Sequence, residues 1–217
     1  GAELTTLDEY VTRMGAREEI WVLAAPDREK ALALPHLEAL LARGEEVLFL
    51  TDPVDEWVLE RLERYREKRL VAIDRGEVDL GGAIAKEARE ELERAHRDLL
   101  ERLEGLLKPR VAAVRFSARL TDSAAVLVDE GQGPGPYMER MLRQAGRPVP
   151  ERKRALELNS EHAAVKRLAE LFDADRASPK VAEFAELFLA QAHVAEGSPL
   201  PDPKRFAELV NRLLLGA

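Results

Sequence analysis

Val47-Leu48-Phe49-Leu50-Thr51-Asp52-Pro53-Val54-Asp55-Glu56-Trp57 decides how the amino-terminal part of the chain folds. Four apolar residues in a row read as a strand buried on both faces, as in a parallel sheet. Asp52 then supplies an N-cap and Pro53 fits the first helical position. Asp55 and Glu56 put acid in the first turn, where the helix dipole favours it. A buried strand that runs straight into a capped helix is half of a βαβ unit.

The flanks repeat the pattern. Ile20 to Leu23 and Leu70 to Ile73 read as two more short strands, Arg28 to Arg43 as a helix interrupted by Pro35, and Asp52 to Glu67 as a helix. Upstream, Thr6 followed three residues later by Glu9 forms a capping box, and Leu7, Tyr10, Val11 and Met14 share one face of the helix it opens. Alternating strands and helices predict a small α/β domain of βαβαβ type in three layers over residues 1–80.

Charge marks where that domain ends. Residues 1–80 carry 19 acidic and 11 basic side chains and residues 81–217 carry 22 of each, so the whole formal charge of −8 lies in the first part. The change falls in Asp74-Arg75-Gly76-Glu77-Val78-Asp79-Leu80-Gly81-Gly82, which reads as a linker. Beyond it, Ile84, Ala88, Leu92, Ala95, Leu99, Leu103 and Leu106 form one continuous stripe. It predicts a single helix from Gly82 to Leu107, about 38 Å long, ended by Pro109. Strand-like runs at Val111 to Phe116, Ala124 to Val128 and Ala155 to Leu158, with helices after the second and third, make residues 81–217 an α+β domain. Two last helices, Pro179 to Glu196 and Asp202 to Leu215, fold back on each other across Gly197-Ser198-Pro199-Leu200-Pro201.

Several function classes are excluded. A charge of −8 argues against a nucleic-acid binder, which needs a basic face. The longest apolar runs, such as Ala124 to Val128, fall far short of the roughly 20 residues that cross a bilayer. With no cysteine and no basic-then-apolar leader, the expected address is cytoplasmic.

No local reaction centre emerges. Asp52, Asp55 and Glu56 could serve a small carboxylate-dependent α/β enzyme, but helix capping explains them better. Gly131-Gln132-Gly133-Pro134-Gly135-Pro136 has the setting of a phosphate loop. Its two prolines lack N–H groups, however, and Asp129 and Glu130 would repel an anion. His36, His96, His162 and His193 stand too far apart for a local metal site, and a serine or asparagine cap accounts for the polar residues beside His162.

The stronger signals are apolar. Val181, Phe184, Ala185, Phe188 and Ala192 share a face of the first terminal helix, widened by Leu187 and Leu189. Phe206, Leu209, Val210, Leu213 and Leu214 line the second. Such a hairpin either buries both faces internally or buries one against a copy of itself as a four-helix contact. Tyr137, Met138, Met141 and Leu142 lie on a helix after the glycine-proline run, where methionine suits either a variable partner or a core. Trp57 is either an exposed anchor or packed on the sheet.

Four segments in order resemble the heat-shock protein 90 chaperones, most of all their bacterial HtpG branch. They are Leu7-Asp8-Glu9-Tyr10-Val11-Thr12-Arg13-Met14, Leu48 to Trp57, Ser117-Ala118-Arg119-Leu120-Thr121-Asp122-Ser123, and Leu156-Glu157-Leu158-Asn159-Ser160-Glu161-His162. Gln191 to Gly197 extends the likeness. The resemblance implies that residues 1–80 are the small α/β end of the family's middle domain and residues 81–217 its dimerisation domain. It assigns Val181, Phe184, Phe188, Ala192, Phe206, Leu209, Val210, Leu213 and Leu214 to a constitutive homodimer bundle. It assigns Trp57, Tyr137, Met138, Met141 and Leu142 to a surface for unfolded client proteins. The family's ATP-binding and hydrolysis-assisting residues lie upstream of everything here, so no ATPase activity and no cofactor are expected in this chain. Its end, Leu213-Leu214-Leu215-Gly216-Ala217, lacks the acidic tail of eukaryotic members, so tail-dependent docking is not expected.

Overall fold

The computed structural model describes residues 4–59, 61–76, 82–108, 110–130, 135–149 and 152–215. In the first unit, β1 (Glu19–Ala24) is central, with β2 (Leu48–Leu50) and β4 (Lys68–Ala72) parallel to it on either side. That is the expected parallel βαβαβ core. Alternate residues of β1 feed two small cores. Trp21 and Leu23 meet Ala31, Leu37 and Leu40 of the segment broken at Pro35. Ile20 and Val22 meet Tyr10 and Met14 of α1 (Leu7–Arg13), whose Thr6–Glu9 capping box is formed. Three layers result.

One helix is shorter than the pattern predicts. α4 (Pro53–Leu59) stops early, and β3 (Arg64–Tyr65) turns back antiparallel on β4. Arg66 and Glu67 take φ of 46° and 66°, the left-handed pair of a tight hairpin turn. The residues from Arg61 to Leu70 are good helix formers. Tertiary packing overrides them, because Tyr65 lies against the Tyr10 and Ile20 cluster and its hydroxyl donates to Asp8 at 2.5 Å.

The connector also departs from expectation. It is two helices, α5 (Gly82–Ala95) and α6 (Arg97–Leu107), broken at His96, whose φ of −106° and ψ of 22° leave the helical region. The imidazole stands edge-on to Phe116 with ring centres 5.7 Å apart. Hydrogen bonds from His96 to Leu92 and from Leu100 to His96 bracket the break, and Leu92, Leu99, Leu103 and Leu106 of the stripe reach the core while Ala88 and Ala95 are exposed.

In the second unit, β5 (Val111–Phe116), β7 (Arg154–Leu158) and β6 (Ala125–Val128) form a sheet in that order, parallel then antiparallel. Ala125, Leu127, Leu156 and Leu158 face the main core, which they build with residues of α6, α8 (Ala163–Ala174) and α9 (Pro179–Ala195). α10 (Pro203–Leu214) packs back on α9. Arg205 pairs with Glu186 and Arg212 with Glu183, and the reversed order makes the hairpin antiparallel. His162 is itself the cap of α8, its Nδ1 accepting from Ala164 N at 3.2 Å. Asn159 donates its Nδ2 to Thr121 O and Ser123 O and accepts from Glu161 N with its Oδ1 in the turn before the helix.

Candidate functional site

An open α/β sheet usually takes a ligand outside the carboxyl ends of its strands, where the chain reverses its direction of winding. At that end of the sheet, just past β4, stands Arg119 of the second unit, 2% exposed. Its guanidinium donates to Ile73 O just past β4, to Gly76 O at 2.5 Å, and to both oxygens of Glu157 at 2.8 and 3.2 Å. Glu157 also accepts from Arg115 and Ser117. Burial works to raise its carboxyl, and Arg119, Arg115 and Ser117 outweigh burial and hold it below the usual carboxylate range.

Around Arg119 the two units interlock. Glu38 accepts the amides of Thr121 and Asp122 at 2.8 Å each and the Ser123 hydroxyl at 2.5 Å. These bonds hold its carboxyl low against its burial. His36 meets Leu127 O at 3.0 Å, and burial, with Arg119 nearby, pushes its imidazole below the usual histidine range. Asp74 and Gly76 exchange backbone hydrogen bonds with Asp129, so the described part of the expected linker is bonded to the second unit. The boundary at residues 80 and 81 and the glycine-proline run at 131–134 lie outside the described residues.

The acidic cluster behaves as a cap. Asp52 Oδ1 accepts from Val54 N at 3.0 Å, and Asp55 Oδ2 accepts from Asp52 N at 3.3 Å. The side chain of Glu56 lies outside the described residues. Among the described residues no three His, Asp or Glu groups come together as a metal site, and no helix is long and apolar enough to cross a membrane.

Two apolar surfaces remain. On the first, Val54, Trp57 and Val58 share a face of α4 by their spacing of three and four, and Trp57 is 54% exposed. α4 packs against α7 (Pro136–Gln144), which presents exposed Met141 and half-buried Leu142. Tyr137 and Met138 are buried, which corrects the expectation of four surface positions. The start of α7 lies on the first unit, with the Tyr137 hydroxyl 3.5 Å from Thr51 O, so only the later turn reaches solvent. Beside Met141 a groove of about 550 Å³ runs between α2 (Arg28–Leu32), α7 and the end of α9.

The second surface is the tip of the hairpin. Val181, Phe188 and Ala192 are buried in the main core and Leu209 is buried beneath α10, so the single chain already covers these four expected interface positions. Phe184, Phe206 and Val210 are half-buried. Leu213, Leu214 and Leu215 are 54%, 79% and 83% exposed. Sequence reasoning did not single out Arg119 or Glu157 for a role. The signal was a charged residue inside the strand Leu156-Glu157-Leu158, which has to find a buried partner.

Comparison with known proteins finds relatives along the whole chain. The family model described as Hsp90 protein matches residues 1–217. The chain is 44% identical over 215 residues to the chaperone protein HtpG of Geobacter sulfurreducens, covering 97% of this chain and 33% of that protein. The HtpG proteins of Mycolicibacterium gilvum and Shewanella amazonensis are 43% and 39% identical over 213 and 214 residues, covering 96% and 97% of this chain and 33% of each. The chain spans about a third of the length of these curated relatives.

Proposed function

Since the chain belongs to the Hsp90 protein family, we propose that it is the part of a chaperone subunit that pairs two subunits and offers surface to unfolded clients. The observation that carries this reading is the run Leu213 to Leu215, exposed at the end of a helix whose other large apolar side chains, Phe206, Leu209 and Val210, are wholly or half buried. Three adjacent leucines in water are costly to leave uncovered, and a second copy across a two-fold axis covers them in a four-helix contact. Trp57, Val54, Val58 and Met141 form the client surface, with Leu142 behind them. Nucleotide chemistry belongs to the rest of the subunit, a reading supported by the chain's spanning about a third of its relatives' length. The acid excess speaks for a protein partner in the cytoplasm over nucleic acid.

Light scattering at micromolar concentration tests the pairing. The expected mass is twice the 24.3 kDa of one chain. Leu213→Ser with Leu214→Ser is expected to return it to a single chain with an unchanged circular dichroism spectrum. A wild-type chain that scatters as a monomer removes the pairing role. Trp57→Ser with Met141→Ser is expected to weaken suppression of aggregation while the mass stays doubled.

A further inference from the structure

The groove beside Met141 differs in charge from the chain as a whole. Its charged wall residues are Lys30, Arg140 and Glu196, in a molecule of net charge −8. Glu196 is buried and spent on Arg154 at 2.5 Å. Asp27 stands 3.7 Å from Lys30 and offsets its charge, although both are exposed and the pair is weak in water, which leaves the charge of Arg140 as the surplus. The local balance is therefore positive. At physiological salt, charges farther than about 8 Å are largely screened, so it is this local balance that an occupant meets.

Arg140 is fixed in place. It donates to Glu196 O at 2.8 Å and Gly197 O at 3.3 Å, the carbonyls that end α9. Gly197 has φ of +70°, and a Cβ there would lie 3.0 Å from the guanidinium, so glycine leaves the room for this approach. Much of the remaining wall is apolar, with Pro26, Ala33 and Leu34 on one side and Met141 and Val194 on the other. At about 550 Å³ the groove is the size of a site for a few side chains.

We propose that this groove takes an extended segment of a client polypeptide in which apolar side chains flank one carboxylate, and that the carboxylate faces Lys30 and Arg140. The inference rests on the client-binding reading above and adds the chemistry of the segment. Apolar flanks cover Leu34, Met141 and Val194, and the carboxylate matches the planar donor fork of the fixed arginine.

Three fluorescein-labelled nonapeptides with the same apolar residues and a central Glu, Gln or Lys test it by fluorescence anisotropy against the whole chain. The Glu peptide is expected to bind about tenfold more tightly than the Gln peptide, as for one charge-assisted hydrogen bond, with the Lys peptide weakest. Lys30 is exposed, so Lys30→Glu should fold normally and reverse the order of the Glu and Lys peptides. Equal affinity for all three, or no response to Lys30→Glu, overturns the proposal. If Trp57→Ser with Met141→Ser then weakens all three alike, the client reading itself stands. Aggregation suppression without any peptide binding overturns the groove alone. Loss of both defeats the client reading as well. Peptide binding that disappears as the protein dimerises assigns the groove to a second copy and also overturns the proposal.

Discussion

The two helices of the terminal hairpin both carry apolar stripes, broader on α9 than on α10, and the molecule treats them differently. α9 gives Val181, Ala185, Phe188, Leu189 and Ala192 to the core of its own unit, whereas α10 has only Leu209 buried and ends in three exposed leucines. Their surroundings differ more than their sequences. α9 lies across β6 and β7 with α6 and α8 beside it, and α10 packs on α9. The breadth of a stripe therefore predicts that a helix will be covered, and is silent on which molecule covers it.

The largest test of this contrast is Phe188→Ala. It removes a buried ring that also meets Phe184 edge-on at 5.9 Å, and it should lower the unfolding free energy by about 3–5 kcal/mol in urea titrations. A loss below about 1 kcal/mol would mean that α9 is no core element. Acid gives the next effect. His193 on α9 is held down to about 4 by burial and by Arg154 and Arg110. The folded chain thus refuses a proton that the unfolded chain accepts near pH 6.5. The group's stabilising share is complete above about pH 6.5 and is lost as pH falls toward 4, about 2 kcal/mol by pH 5. Glu196, whose carboxyl burial raises, pulls the other way. The measurement is therefore the difference between wild type and His193→Gln at pH 7 and pH 5, and parallel curves for the two would dismiss the effect. The smallest change belongs to α10. Arg212→Ala breaks an ion pair with Glu183 in which the arginine is half exposed, and should cost about 0.5 kcal/mol, less in high salt. A loss above about 2 kcal/mol would mean that charge, more than the buried Leu209, holds α10 down.

The parts of the fold that could be read in advance are those whose period is simple. Strands β1, β2, β5 and β6, the interruption at Pro35 and both terminal helices follow from apolar runs, proline and glycine. The hairpin at Arg66 and Glu67 was hidden because its residues favour helix and only the seat of Tyr65 on a distant cluster decides otherwise. The break at His96 was hidden because Leu92 before it and Leu99 and Leu103 after it keep a helical spacing and all reach the core. Of the candidate site, Trp57, Met141, Leu213 and Leu214 carry the exposure that their types suggested. Tyr137, Met138, Val181, Phe188, Ala192 and Leu209 do not, since burial is settled by neighbours that local periodicity does not report. The interlock of Arg119 with Glu157 joins positions 38 residues apart. Its members are ordinary charged residues until the strand Leu156 to Leu158 is known to be covered on both faces.

Arg119 makes the contact between the units a weld. A twist applied at the tip of α10 passes along α9 into the middle strand of the second sheet, through Glu157 to the guanidinium, and into the main chain beyond β4. Rocking one unit against the other pulls the guanidinium off the carbonyls of Ile73 and Gly76, at about 1–3 kcal/mol for each partner left unmatched, while its pair with Glu157 stays within the second unit. Were two chains to pair at their hairpin tips as proposed, each would hold its first unit on a stiff strut, and any scissoring of the pair would have to be found elsewhere.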